Sequence, residues 1–135
     1  MNKVLIIEDD PISGKVHRDL LVKEGFEVEV ACDGEAGLRR VQESHPDAVL
    51  LDLMLPKISG VDLLKKLRAQ AEFRELPVVV FTNAYVPALV HDAQWAGANE
   101  VFSKATVTPS QIIGALRTAL KRPSTPPTAG PVSPG

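Results

Sequence analysis

Residues 48–52 read Ala48-Val49-Leu50-Leu51-Asp52, four apolar side chains without alternation, closed by a carboxylate. A run so short and so uniformly apolar suits a strand buried on both faces of a parallel sheet, whereas a helix would need about ten residues or more. The same pattern recurs twice. Val4-Leu5-Ile6-Ile7 precedes Glu8-Asp9-Asp10, and Val78-Val79-Val80-Phe81 precedes Thr82. Two weaker strands are predicted at Glu27–Ala31 and Glu100–Ser103, the second followed by Lys104. Five strands alternating with helix-length segments predict an α/β domain, a doubly wound five-stranded parallel sheet with helices on both faces.

The segments between the strands carry helix signals. Asp10 and Pro11 suit the cap and first turn of the first helix, in which Ile12, Val16 and Leu20 recur at helical spacing until Gly25 stops it. Asp33-Gly34 opens a second helix, with Leu38 and Val41 facing inward and an end before Pro46. Ser59-Gly60-Val61-Asp62 resembles a capping box, followed by a stripe of Val61, Leu64 and Leu67. Thr108-Pro109-Ser110-Gln111 repeats that logic for the last helix, with Ile113, Leu116 and Leu120 inward. A fourth helix falls near residues 86–96, with Pro87 restricting its start. Residues 1–122 thus read as one folded domain. Residues 123–135, dominated by Pro, Ser, Thr and Gly, read as a disordered tail or linker with almost nothing to bury.

Composition narrows the function classes. The 135 residues suit one domain with a real core, and a net charge of −2 from 15 basic and 17 acidic side chains provides no basic stripe for nucleic acid. Cys32 is the sole cysteine, which excludes an internal disulfide and suggests a buried or half-buried structural thiol. The apolar start at residues 4–7 is too short for a signal segment or a membrane span, so a cytoplasmic protein is expected. His17 and His45 show no metal or catalytic spacing, and His91 and Trp95, four apart, are expected on one side of the fourth helix.

The chemistry lies at the strand ends. Ligands of a doubly wound sheet bind beyond the carboxyl ends of the strands, where the winding reverses. With the first and third strands adjacent, Glu8, Asp9 and Asp52 converge on one crevice. Unit charges about 4 Å apart repel by roughly 4 kcal/mol at an effective dielectric near 20. A hard cation with oxygen ligands relieves that repulsion, and Mg²⁺ is the natural candidate. Taken singly, each of Asp9, Asp10 and Asp52 is better explained as a helix cap or a solvated loop residue. Thr82 and Lys104 add a hydroxyl and an ammonium at the neighbouring strand ends, a combination suited to stabilising a phosphoryl group.

In order and spacing, Glu8-Asp9-Asp10, Asp52 with Leu53-Met54-Leu55-Pro56 and Gly60, Thr82 and Lys104 resemble the receiver domain of two-component response regulators. The resemblance covers residues 3 to about 121. It implies a flavodoxin-like fold of strand order 2-1-3-4-5 and Asp52 as phosphoacceptor. It also implies Mg²⁺ held by Glu8, Asp9, Asp52 and the backbone carbonyl of Met54, with Thr82 and Lys104 acting on the phosphoryl group. The implied partners are a histidine kinase or phosphotransfer protein and a downstream protein on the face of the fourth helix, fifth strand and last helix. Neither direct nucleic-acid binding nor membrane association is implied, and no conventional enzymatic turnover beyond phosphorylation and autodephosphorylation of Asp52. Methionine at position 54 removes the second acid that an aspartyl phosphatase would use.

This sequence also departs from the family pattern. Ala105 follows Lys104 where many relatives carry a cis-forming proline, Asn83 replaces a small residue, and Val101 stands at the switch aromatic's position. Phe102, one place later, is expected on the opposite face of its strand. These changes keep open a pseudo-receiver, an interaction module that works without phosphorylation. The apolar side chains of Met54 and Ala84, at positions that influence water access in relatives, imply slow autodephosphorylation.

Overall fold

The computed structural model describes residues 2–121, and the expected tail at 123–135 lies outside them. Strand β1 (Lys3–Ile7) leads to helix α1 (Pro11–Lys23), β2 (Glu27–Ala31) to α2 (Gly34–Ser44), and β3 (Ala48–Leu51) to α3 (Gly60–Ala69). A 3₁₀ turn (Ala71–Phe73) precedes β4 (Val78–Thr82), which is followed by α4 (Pro87–Trp95), β5 (Glu100–Ser103) and α5 (Pro109–Lys121). The strands form one sheet of order β2-β1-β3-β4-β5, and every pairing is parallel.

Strand alternation sends each run to two cores. Leu5, Ile7, Val49, Leu51, Val78 and Val80 pack with Val41, Leu63, Leu64, Leu67 and Ala93 from α2, α3 and α4. Val4, Ile6, Leu50, Val79 and Phe81 pack with Leu21 of α1 and with Ile112 and Leu116 of α5. Apolar residues therefore fill both faces, which is why the inner strands lack a polar alternate. Val101 and Phe102 divide between the two cores as alternation requires.

Capping follows the sequence. The side chains of Asp10, Asp33 and Ser59 accept backbone N–H bonds at the starts of α1, α2 and α3. Thr108 and Gln111 form both halves of a capping box on α5, at 3.2 and 2.8 Å. Helix α4 starts at Pro87 without a side-chain cap.

Two expectations are corrected. Ile12 and Val16 do not face the core: they are 75% and 57% exposed. Strict spacing by four drifts about 40° around a helix at each step. The face of α1 turned to the sheet instead follows Gly14, half-buried His17 and Leu21, at spacings of three and four. Cys32, expected buried or half-buried, is exposed, because it lies past the end of an edge strand that no further strand covers. No described helix is long and apolar enough to cross a membrane.

Candidate functional site

The sheet winds in opposite senses on either side of the β1–β3 pair, so the ends of these two strands open the crevice that such folds use for ligands. Asp52 lies one residue past β3, and its N–H donates to the Ile7 carbonyl at 3.0 Å. Glu8 lies one residue past β1, and its N–H donates to the Ala31 carbonyl at 2.9 Å. Both backbones thus continue the ladder, and both side chains are buried, with Asp52 4% and Glu8 1% exposed.

A single ammonium joins them. Lys104 Nζ donates to Asp52 Oδ2 at 2.9 Å and also to Glu8 Oε1. The other Asp52 oxygen, Oδ1, accepts the Met54 N–H at 3.1 Å. Lys104 is anchored by its own N–H, which donates to the Thr82 carbonyl at 2.9 Å. The turn after it, through Ala105 in place of proline, closes with the Val107 N–H on the Ser103 carbonyl at 2.9 Å, and all peptide bonds among the described residues are trans.

Asp9 stands exposed at the rim. It offers an oxygen that lies within 4.8 Å of oxygens on Glu8 and Asp52, close enough for all three carboxylates to share one cation. Asp10 belongs to the helix instead, since its Oδ1 accepts the Ile12 N–H at 3.0 Å. Thr82 is fully buried, and its Oγ1 accepts the Ala84 N–H at 3.0 Å. Asn83 is exposed, as is the side chain of Met54.

The electrostatics are those of a crowded acidic pocket. Burial pushes the Asp52 carboxyl above its ordinary range, and its hydrogen bond with Glu8 adds to the rise, against Lys104 and the Met54 N–H. Burial would do the same to Glu8, but hydrogen bonds from Lys104, Ser13 and Asp52 outweigh it and hold Glu8 low. Desolvation disfavours the Lys104 ammonium, yet its two carboxylate partners hold its pKa above normal. The lysine therefore stays charged. Three hard carboxylate donors fit a small divalent cation with oxygen ligands.

Three residues against this centre carried no sequence signal. Ser13, in the first turn of α1, helps to hold the Glu8 carboxyl low. The Phe81 ring lies 4.7 Å from Lys104 Nζ, and the His17 ring meets Phe81 edge-on with centroids 4.7 Å apart. Phe81 and His17 reach the site across tertiary contacts between distant segments, which a linear pattern does not display. His91 and Trp95 do pair on α4, with ring centroids 5.8 Å apart.

A doubly wound parallel sheet with buried carboxylates at its switch point, and a hydroxyl and a lysine on the adjoining strands, defines a class of small regulatory α/β domains. Residues 4–117 match the response regulator receiver domain, and the chain belongs to that family. It is similar to the DNA-binding response regulator MtrA of Mycolicibacterium smegmatis, at 33% identity over 89% of this chain and 51% of that protein. It is also similar to the polar-differentiation response regulator DivK of Brucella ovis, at 37% identity over 58% of this chain and 64% of the relative. The chain thus spans between half and two thirds of the length of these relatives. Among solved structures, a putative response regulator from Chloroflexus aurantiacus superposes with a TM-score of 0.85 at 28% identity, covering 90% of this chain and 98% of the other. The BeF3-activated N-terminal receiver domain of Klebsiella pneumoniae RstA superposes with a TM-score of 0.82 at 30% identity, covering 90% and 100%.

Proposed function

We propose that this receiver domain is a phosphoacceptor of two-component signal transduction, modified on Asp52 by a histidine kinase or phosphotransfer protein in the presence of Mg²⁺. The observation that carries the reading is the convergence on Asp52: a buried carboxylate held by Lys104 at 2.9 Å, with oxygens of Glu8 and Asp9 inside the same 4.8 Å cluster.

In the proposed step an Asp52 oxygen attacks the phosphorus of a phosphohistidine. The new O–P bond forms as the P–N bond breaks, the imidazole leaves with the electron pair, and it takes a proton from solvent. Glu8, Asp9, Asp52 and the Met54 carbonyl would hold Mg²⁺, which when bound neutralises charge on the carboxylates and the phosphoryl oxygens. Lys104 would pair with a phosphoryl oxygen once Asp52 carries the acyl phosphate, and the Thr82 hydroxyl would exchange its Ala84 N–H for the same group. The altered state is read by a downstream protein on the face of α4, β5 and α5. No turnover of a separate substrate is part of this reading.

Incubation with Mg²⁺ and a small acyl phosphate, followed by intact-mass measurement, tests the proposal. A gain of one phosphoryl group is expected in the wild type and none in Asp52→Asn. Equal labelling of both proteins removes Asp52 as acceptor. The same spectra followed in time check for slow hydrolysis, since neither Met54 nor Ala84 offers a side-chain polar atom to orient water. Decay within seconds contradicts that expectation.

One observation favours a second reading. Lys104 already pairs with both buried carboxylates, which offsets part of their charge and lowers the pocket's demand for a metal ion. On that reading the domain is a pseudo-receiver that binds its partner unmodified, and absence of labelling in the wild type selects it.

A further inference from the structure

We propose that His17 is a positioning residue for Lys104, acting through the ring of Phe81; the inference rests on the phosphoacceptor reading of Asp52. The observation is a continuous stack leading from α1 to the acidic pocket. His17 Nδ1 lies 2.8 Å from the Ser13 carbonyl oxygen. A carbonyl only accepts, so Nδ1 carries the proton and the plane of the imidazole is fixed. That ring meets Phe81 at an interplanar angle of 75°. Phe81 is wholly buried and in turn lies 4.7 Å from Lys104 Nζ, within the range in which an aromatic face attracts an ammonium.

The consequence concerns where the lysine can go. Two carboxylates draw Nζ inward toward Glu8 and Asp52. The aromatic ring is the one uncharged partner of the ammonium among the described contacts, and it holds the side chain without consuming a lone pair of the acceptor. Removing the imidazole opens space beside Phe81 and lets the ring tilt. Lys104 then loses its support and settles onto the acids alone. Ser13 strengthens the coupling, because its Oγ also lies 3.4 Å from His17 Nδ1, beside the carbonyl contact.

Nuclear magnetic resonance of the Lys104 Cε methylene in unphosphorylated protein reads the stack directly. The wild-type signal is expected upfield from ring current. Phe81→Leu should move it toward the free-lysine position, His17→Ala should move it part of the way, and His17→Phe should restore it. A Lys104 signal unchanged in folded His17→Ala overturns the proposal. In the acyl-phosphate assay, His17→Ala should slow labelling by roughly three- to tenfold, the rate equivalent of a weakened cation–aromatic contact. That loss should disappear in a Lys104→Met background. A loss of equal size in both backgrounds shows a general structural effect and overturns the proposal. A wild type that takes no label instead overturns the phosphoacceptor reading, and the resonance comparison still decides the role of His17.

Discussion

Asp52 illustrates how burial sets both the chemistry and its cost. At 4% exposure its ionised form has lost most of its water, and its pKa is raised for that reason first. A carboxyl raised in the folded state contributes stability that is fully present below its unfolded pKa, about 3.9, and that is lost as pH rises through the higher folded value. At neutral pH without divalent cations, Asp52 is therefore a net burden on the fold. Asp52→Asn should melt higher than the wild type at pH 7, by about 2–5 °C for a difference of about 1 kcal/mol in a domain of this size. The advantage should shrink as the buffer is taken toward pH 4. Circular dichroism melts at the two pH values decide the point, and a variant that melts lower at pH 7 would refute the sign.

Elements position the site through close backbone approach, most clearly at the start of α3. A Cβ built on Gly60 would lie 2.5 Å from Leu53 Cα and 2.6 Å from the Asp52 carbonyl oxygen, and neither atom can rotate away. Gly60→Ala should thus cost about 1–3 kcal/mol through overpacking and displace Asp52 at the same time. Chemical denaturation should register the first effect and acyl-phosphate labelling the second. Gly114 on α5 is the internal control, because nothing lies within 4 Å of its Cβ position. Gly114→Ala should stabilise by about 0.5–1 kcal/mol and leave labelling unchanged. A Gly60→Ala protein as stable and as readily labelled as wild type would show that α3 does not hold the acceptor. The strands, caps and pocket acids were readable in the sequence because each leaves a local mark: an apolar run, a capping pair, a polar residue just past a strand. The burial of His17 and the exposure of Ile12 left none. They depend on which side of α1 meets the sheet, and α1 is only weakly amphipathic, with a glycine and a histidine on its buried side. Ser13 was hidden for the same reason.

At the scale of the whole molecule, the pocket is a competition between one internal cation and one external one. The sheet brings Glu8, Asp9 and Asp52 together from two strand ends, and β5 delivers Lys104 into the same space from the far side of β4. A divalent ion entering this cluster must share Glu8 and Asp52 with the ammonium. Binding to the folded state alone raises stability by RT ln(1 + [L]/Kd), about 2.7 kcal/mol at a hundredfold excess over Kd. Millimolar Mg²⁺ should therefore raise the melting temperature of the wild type, and a chelator should reverse it. Asp9→Ala should lose most of this shift. Asp10→Ala, which removes only a helix cap, should melt lower yet keep the shift. Lys104→Met should enlarge it, because two buried carboxylates are then left without a protein cation and an external ion gains their full attraction. Titrations of melting temperature against Mg²⁺ for these four proteins separate the contributions. A shift that survives Asp9→Ala intact, or that shrinks in Lys104→Met, would mean that the ion binds elsewhere and that the acidic pocket serves only its own lysine.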